Sequence, residues 1–370
     1  MRRIAVIGAG IVGASVAFRL AQGGARVWII DKNPQPASGT TSRSFAWVNA
    51  NEKTPRDYFE LNYIGLKEHY RLLDELPGRG SWLNPGGNLE WAKDKAEQDN
   101  LCYKVNRLRS WGYTVEWREA AGVNELMEPN VVFPSPDTSV ALFPKEVWVD
   151  APQLTNVLLD LARRHDARLG LAVAVQSIET TGGRVAALRL SSGERVPIDA
   201  VVNAAGAEAH RVAELLGLSL PLKPSKGLLI RLAMKEAPLG CIVHSPLVNL
   251  RPAGSRHLLI HHRSVDEKLG NDADETEGSL RQELLERARQ VVPALNTARA
   301  VDTLVGVRPV PKDGRSCVGA VSTVPGYYEA VTHSGVTLGP LIGRLLAQEI
   351  LTGEVEALIS PFRPDRFARN

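Results

Sequence analysis

Cysteine is scarce in this chain. Its 370 residues include three, Cys102, Cys241 and Cys317, far apart and without the spacing of a metal knuckle or a redox pair. That scarcity excludes a disulfide-stapled scaffold and leaves structural thiols suited to a reducing compartment, so a cytoplasmic location is expected. Long apolar runs are missing too: none approaches the roughly 20 residues of a membrane-spanning helix, and no membrane partner is expected. The first hydrophobic stretch follows Arg2 and Arg3, but glycines interrupt it, which marks a buried strand rather than a signal peptide. Charge of one sign is lacking as well. Lys and Arg number 44 against 41 Asp and Glu, which gives nucleic acid no broad basic surface to meet. No internal repeat is visible, and what remains is an ordinary globular composition, long enough for roughly two domains.

What is present begins at once. Arg3 to Ile7 reads as a strand, and Gly8, Gly10 and Gly13 lead into a helix that runs past Leu20. A second apolar run, Val27 to Ile30, ends at Asp31. This is the βαβ opening of a dinucleotide-binding domain: Gly8 permits the tight turn, Gly10 lets backbone approach a pyrophosphate, and Gly13 allows close packing of helix on strand. The helix start offers N–H groups and the positive end of its dipole to phosphates. Asp31 is placed to accept hydrogen bonds from ribose hydroxyls, and its charge repels a 2′-phosphate, which argues against NADP.

Further along, Ala37 to Trp47 is a segment of small and hydroxylic residues with no particular use in a plain NAD domain. Tyr58 to Leu76 has apolar residues at helical spacing, stops at Pro77 and Gly78, and reads as scaffold. Ala151 to Arg164 is helical, strands follow from Leu169 to Leu190, and Ala200 to Gly206 is a buried strand ending in small residues. Leu220 to His262 is strand-rich, and Leu280 to Val292 is an amphipathic helix. Near the end, Ser334 to Thr337 opens a helix that runs to Leu351, a second N-terminus able to face an oxyanion or a carbonyl.

Four blocks in this order resemble the D-amino acid oxidase superfamily of FAD enzymes, the glycine oxidase and sarcosine oxidase-like proteins. They are Gly8 to Gly13 with Asp31; Gly39 to Ser42; Val201 to Gly206; and Gly306 to Pro309 with Asp313, Gly314, His333, Ser334 and Gly335. The resemblance covers nearly the whole chain. It implies an α/β fold in which a Rossmann-like FAD/NAD(P)-binding domain is joined to a second, α+β substrate domain built on an antiparallel sheet. The FAD-binding domain is expected to be discontinuous, from residues 1–80, 145–220 and 300–370, and the substrate domain to take 81–144 and 221–299.

Carried over by position, the resemblance implies that Ile11 and Val12 offer N–H groups to the pyrophosphate and that Asp31, with Lys32 beside it, holds the ribose. It places Thr40, Thr41 and Ser42 at the pyrophosphate, Ala46 and Trp47 along the isoalloxazine, Val175 at the adenine, and Ala205 and Gly206 against the cofactor. Gly335, Val336, Thr337 and Leu338 are implied to aim N–H groups at the flavin C2 carbonyl. Arg308 is implied to form a bidentate pair with a substrate carboxylate, a task suited to guanidinium geometry; the competing reading is a structural ion pair.

The chain also departs from its relatives. Thr332 to Thr337 lacks the second Arg of glycine oxidase-like members, and Thr337 stands near a position where sarcosine oxidases use Lys. No Cys or His occupies the places of covalent flavin attachment, so FAD is expected to be noncovalent. Where relatives place a Tyr lid, this chain has Asn249 to Pro252; Asn249, Arg251 and His262, with Trp47 and Thr337, are candidates for the substrate pocket. His261 and His262 have no third ligand at metal spacing, and no metal is expected. Lys268 loosely resembles a Lys that promotes oxygen reduction, with an ordinary surface Lys as the alternative. The expected activity is FAD-dependent oxidation of the C–N bond of a small-molecule amine or amino acid to an imine, with electrons passed to O2 or another acceptor. Competing readings are a noncatalytic flavoprotein or FAD subunit of an amine dehydrogenase complex, and an NAD-linked dehydrogenase. The oligomeric state stays open.

Overall fold

Arg3–Ile7 forms β1, in which Ile4, Ala5 and Val6 are at most 1% exposed. Such burial on both faces, without polar alternation, is the signature of an inner parallel strand. With β2 (Arg26–Ile30), β3 (Arg168–Gly170), β4 (Ala200–Asn203), β5 (Cys317–Ala320) and β6 (Tyr327–Val331) it builds a sheet in the order β5-β6-β4-β1-β2-β3. All neighbours are parallel except β5, which runs antiparallel to β6. The chain leaves β1 toward β2 and returns on its other side at β4, so the crevice beyond the carboxyl ends of β1 and β4 lies at a topological switch point, where α/β sheets bind ligands.

Helices α1 (Ile11–Gln22), α2 (Arg56–Glu75), α3 (Ala151–Arg164) and α4 (Gly335–Thr352) accompany this sheet, and α1 and α4 contact its strands directly. The α1 helix packs on α3 and α4, and α4 packs in turn on α2. Asp150 caps α3 by accepting from the Gln153 N–H at 2.9 Å. The turn from β1 to α1 depends on glycine twice. Gly8 has φ +111°, and a Cβ there would stand 2.3 Å from the Ala204 carbonyl oxygen; a Cβ on Gly13 would stand 1.9 Å from that of Gly8.

The structure, a computed structural model, describes residues 1–76, 80–269 and 274–367. Pro77 and Gly78, the expected stop of α2, lie outside the described residues. The chain divides into two compact units, one of residues 1–82, 149–225 and 307–370 and one of 83–148 and 226–306. The first holds the parallel sheet and a three-stranded antiparallel sheet of Val175–Thr181, Arg184–Leu190 and Arg195–Pro197. In the second, the strands Asn249–Pro252 and His257–His261 pair antiparallel within a larger, largely antiparallel sheet. Leu250, Leu258 and Ile260 from that sheet pack with Leu280, Leu284, Ala288 and Val291 of the helix Asp274–Val291. These four positions follow one another at steps of three or four residues, the buried stripe of an amphipathic helix.

Candidate functional site

A cavity of about 790 Å³ opens at the switch point within the first unit. Its floor is the β1–α1 turn: Gly8, Gly10, Ile11 and Val12 line it, while Gly13 lies beneath, packed on Gly8. The first N–H groups of a helix have no partner inside it. Ile11 N–H is satisfied by Thr41 Oγ1 at 3.1 Å, so the loop of Gly39 to Ser42 is tied directly to the helix start. Thr40 donates its hydroxyl to the Val307 carbonyl at 2.6 Å, and Ser42 donates to the Gly39 carbonyl at 3.2 Å and does not line the cavity. These hydroxyls shape the loop from within.

Asp31 follows β2 and faces the same space. Its Oδ2 accepts from Ala9 N–H at 2.7 Å, and its Oδ1 from the backbone and side-chain nitrogens of Asn33 at 2.8 and 3.0 Å. A carboxylate has about four acceptor sites, which leaves capacity for a hydroxyl of a ligand. Lys32 is paired with Glu208 at 2.8 Å, half-exposed at the rim. Val175, Ala205 and Gly206 form another stretch of wall. Ala46 is buried behind it with φ +53° and accepts from Val149 N–H, whereas Trp47 lines the cavity.

The far wall is the start of α4. Gly335, Val336 and Thr337 line the cavity, but Leu338 is fully buried and its N–H donates to the Ser334 carbonyl at 2.9 Å, so that group is not open to a ligand. Thr337 reaches toward the Trp47 carbonyl at 3.5 Å. Arg308 lines the cavity with Arg43 and Lys53, and its Nη1 lies 3.5 Å from Ser225 Oγ. A second cavity, of about 610 Å³, shares Ala207 and Val307 to Pro309 with the first, so the Arg308 segment borders both. His333 is held neutral, its pKa lowered to about 3 by burial and then by Lys53 and Arg308. Its Nε2 lies 3.1 Å from the Tyr58 hydroxyl, which is also 3.1 Å from Ser334 Oγ.

The remaining candidates belong to the second unit. Asn249 Nδ2 lies 3.3 Å from His261 Nε2, and Arg251 is 5% exposed with Nη1 donating to the Pro252 carbonyl. His262 accepts from Ser264 N–H at the start of the short helix Arg263–Asp266, and its pKa is lowered by burial and by Arg287. Lys268 is bound to Glu283 at 2.7 Å. Among the described residues no group of His, Cys, Asp and Glu is arranged to hold a metal ion.

Two residues that helical periodicity alone assigns to scaffold sit directly under the site. Tyr58 and His69 are both on α2 and both bond to the beginning of α4. One signal was available for His69: Pro340 lies inside an apolar helix and leaves the carbonyl four residues before it, that of Val336, without its usual N–H partner.

The cradle fits a dinucleotide. Backbone approaches where no Cβ has room, a helix starts at the floor, a carboxylate stands after β2, and Val173 and Val175 supply an apolar wall. Comparison with known proteins agrees. The DAO family model, described as FAD dependent oxidoreductase, matches residues 3–349. A glycine oxidase of Geobacillus kaustophilus (strain HTA426) is 28% identical over 97% of this chain and 95% of its own. A crystal structure of glycine oxidase from Geobacillus kaustophilus superimposes with a TM-score of 0.85 at 26% identity, covering 100% of both chains. An opine oxidase subunit of Agrobacterium tumefaciens (strain Ach5) is 26% identical over 98% of this chain and 96% of its own. Iminodiacetate oxidase from Chelativorans sp. BNC1 matches with a TM-score of 0.84 at 27% identity, over 98% of this chain and 99% of that one.

Proposed function

This chain belongs to the DAO family of FAD-dependent oxidoreductases, and we propose that it oxidises the C–N bond of an amino acid or a secondary amine. The observation that carries the proposal is Arg308 in the wall of the cofactor cavity, beside a His333 that burial keeps uncharged. Glycine and iminodiacetate, named for two of the relatives, both carry a carboxylate one carbon from nitrogen. A guanidinium can hold such a carboxylate with two parallel hydrogen bonds and so orient the C–N bond.

FAD, when bound, supplies an acceptor for the hydride that leaves the carbon next to nitrogen. The chain's own residues do the rest. The β1–α1 turn and the Thr41 loop hold the phosphates, Asp31 the ribose, and the first turn of α4 presents the positive end of a helix dipole to negative charge. Neutral His333 adds no cation to compete with Arg308 for the carboxylate. An amine that binds deprotonated needs no protein base to lose hydride, and the imine product hydrolyses in water. No cysteine is among the described residues that line the cavity, in keeping with noncovalent FAD. The three thiols are unpaired, which suits a reducing cytoplasm, and no described helix is long and apolar enough to cross a membrane.

The likeness to a protein named as a subunit of opine oxidase supports a second reading, in which this chain is the FAD subunit of a larger amine dehydrogenase. A panel of D- and L-amino acids, N-methyl amino acids, glycine, iminodiacetate and polyamines, scored for peroxide and for reduction of an artificial dye, tests both. Turnover with O2 by the chain alone supports the oxidase. Turnover with dye and none with O2 supports the second reading, and turnover with neither contradicts the proposed chemistry.

A further inference from the structure

Helix α4 contains a defect close to its start. Its sixth residue is Pro340, which has no N–H, so the Val336 carbonyl one turn earlier loses the partner that every interior helix carbonyl expects. Val336 is also one of the residues that line the cofactor cavity. The missing donor is supplied from outside the helix: His69 Nε2 lies 2.9 Å from the Val336 carbonyl oxygen, which fixes the tautomer with the proton on Nε2.

Helix α2 is shaped to deliver that imidazole. Gly65 lies one turn before His69 on the same face. A Cβ at Gly65 would stand 2.9 Å from both the Thr337 carbonyl oxygen and Leu338 Cδ2, so the two helices come this near only because no side chain is there. Two further contacts bracket the crossing: Tyr58 meets Ser334, and Glu68 receives Arg344 Nε at 3.1 Å. His69 is fully buried, its Nδ1 has no hydrogen-bond partner, and its pKa is lowered to about 4 by burial, so it stays uncharged. A leucine would fill this space without leaving a ring nitrogen unsatisfied. An imidazole here makes sense for what its N–H offers the carbonyls at the start of α4, Val336 at 2.9 Å and Thr337 beside it.

We propose that His69 is a positioning residue for FAD: by replacing the N–H that Pro340 lacks, it holds the first turn of α4 in the orientation that presents Gly335 to Thr337 to the cofactor. This rests on the reading of the cavity as the FAD site and on α4 facing the flavin. The FAD content of the purified wild-type protein tests the site itself, independently of His69.

The test is a cycle of His69→Leu, Pro340→Ala and the double variant, each purified as holoenzyme. The readouts are sulfite affinity, followed by loss of the flavin's visible band, the flavin midpoint potential, and the melting temperature. Pro340→Ala restores an N–H that can bond Val336 from within the helix, which makes His69 dispensable. His69→Leu alone is expected to weaken sulfite binding on the order of tenfold, ~1.4 kcal/mol, and to lower the potential, and the double variant to recover both. A His69→Leu protein that melts earlier yet keeps wild-type sulfite affinity and potential overturns the proposal, as does a double variant with no recovery. Should His69→Leu fail to fold, a double variant that folds with wild-type sulfite affinity supports the proposal, and one that also fails overturns it.

Discussion

Arg308 lines the cavity, and in the proposed function the distinction between holding a carboxylate and merely neutralising it lies in geometry. A lysine keeps the charge but loses the planar fork. Arg308→Lys is therefore expected to raise KM for carboxylate substrates about 10- to 100-fold, the worth of a charge-assisted hydrogen bond, with FAD retained; steady-state kinetics and the flavin spectrum read both, and unchanged KM contradicts the role. Glu329 makes a different point. It lies on β6 with 2% exposure, it accepts from the Tyr327 hydroxyl at 2.9 Å, and burial raises its pKa to about 8. From the ordinary 4.5 up to about 8 the folded protein holds a proton that the unfolded chain has released. The contribution of Glu329 to stability is thus complete below that window and is lost as pH rises through it. Glu329→Gln keeps the shape and removes the titration. Its melting temperature is expected to match wild type at the acid edge of the window and to exceed it above pH 8, and parallel melting curves at every pH would contradict this.

At the level of elements, the β1–α1–β2 opening was legible because its signals are local: buried parallel strands read as unbroken apolar runs, and three glycines and an aspartate fall within one supersecondary unit. The small and hydroxylic residues around Gly39 to Ser42 suggested a lining for a phosphate or an isoalloxazine edge, and the structure shows the hydroxyls of Thr41 and Thr40 bonded to Ile11 and Val307. The role of α2 was not legible. Its apolar stripe announced a packed helix, but His69 meets a carbonyl 267 residues away, and no periodicity within α2 encodes that. The clue was on the other partner, a proline in the middle of α4. The same crossing predicts the behaviour of Gly65→Ala. The new Cβ meets Leu338 Cδ2 and the Thr337 carbonyl oxygen, each at 2.9 Å; the leucine side chain can shift but the backbone oxygen cannot, so α2 must lift from α4. A loss of about 1–3 kcal/mol is expected from such overpacking, together with faster loss of FAD on ultrafiltration. A variant as stable and as yellow as wild type would show that the approach is not tight.

For the whole molecule, the first unit is assembled from three separated stretches of chain, and the described residues that line the cavity of about 790 Å³ all belong to it. Residues 83–148 and 226–306 form their own core on a largely antiparallel sheet, and there Asn249, Arg251 and His262 are each engaged with neighbours in the same unit. The family and its cofactor could be read from blocks spread over the chain, because a dinucleotide imposes the same glycines and helix starts wherever it binds. The substrate imposes no such pattern, since one arginine and the lining of a pocket suffice to choose it. The central claim, that this FAD protein takes a hydride from carbon next to nitrogen, is open to one direct measurement. The purified holoenzyme is mixed without oxygen with the panel of amino acids and secondary amines while the visible flavin band is followed. The account predicts bleaching by at least one carboxylate-bearing amine, with an imine or its hydrolysis product formed in equal amount. A band that no amine or amino acid bleaches, in a protein whose flavin dithionite still reduces, would contradict it.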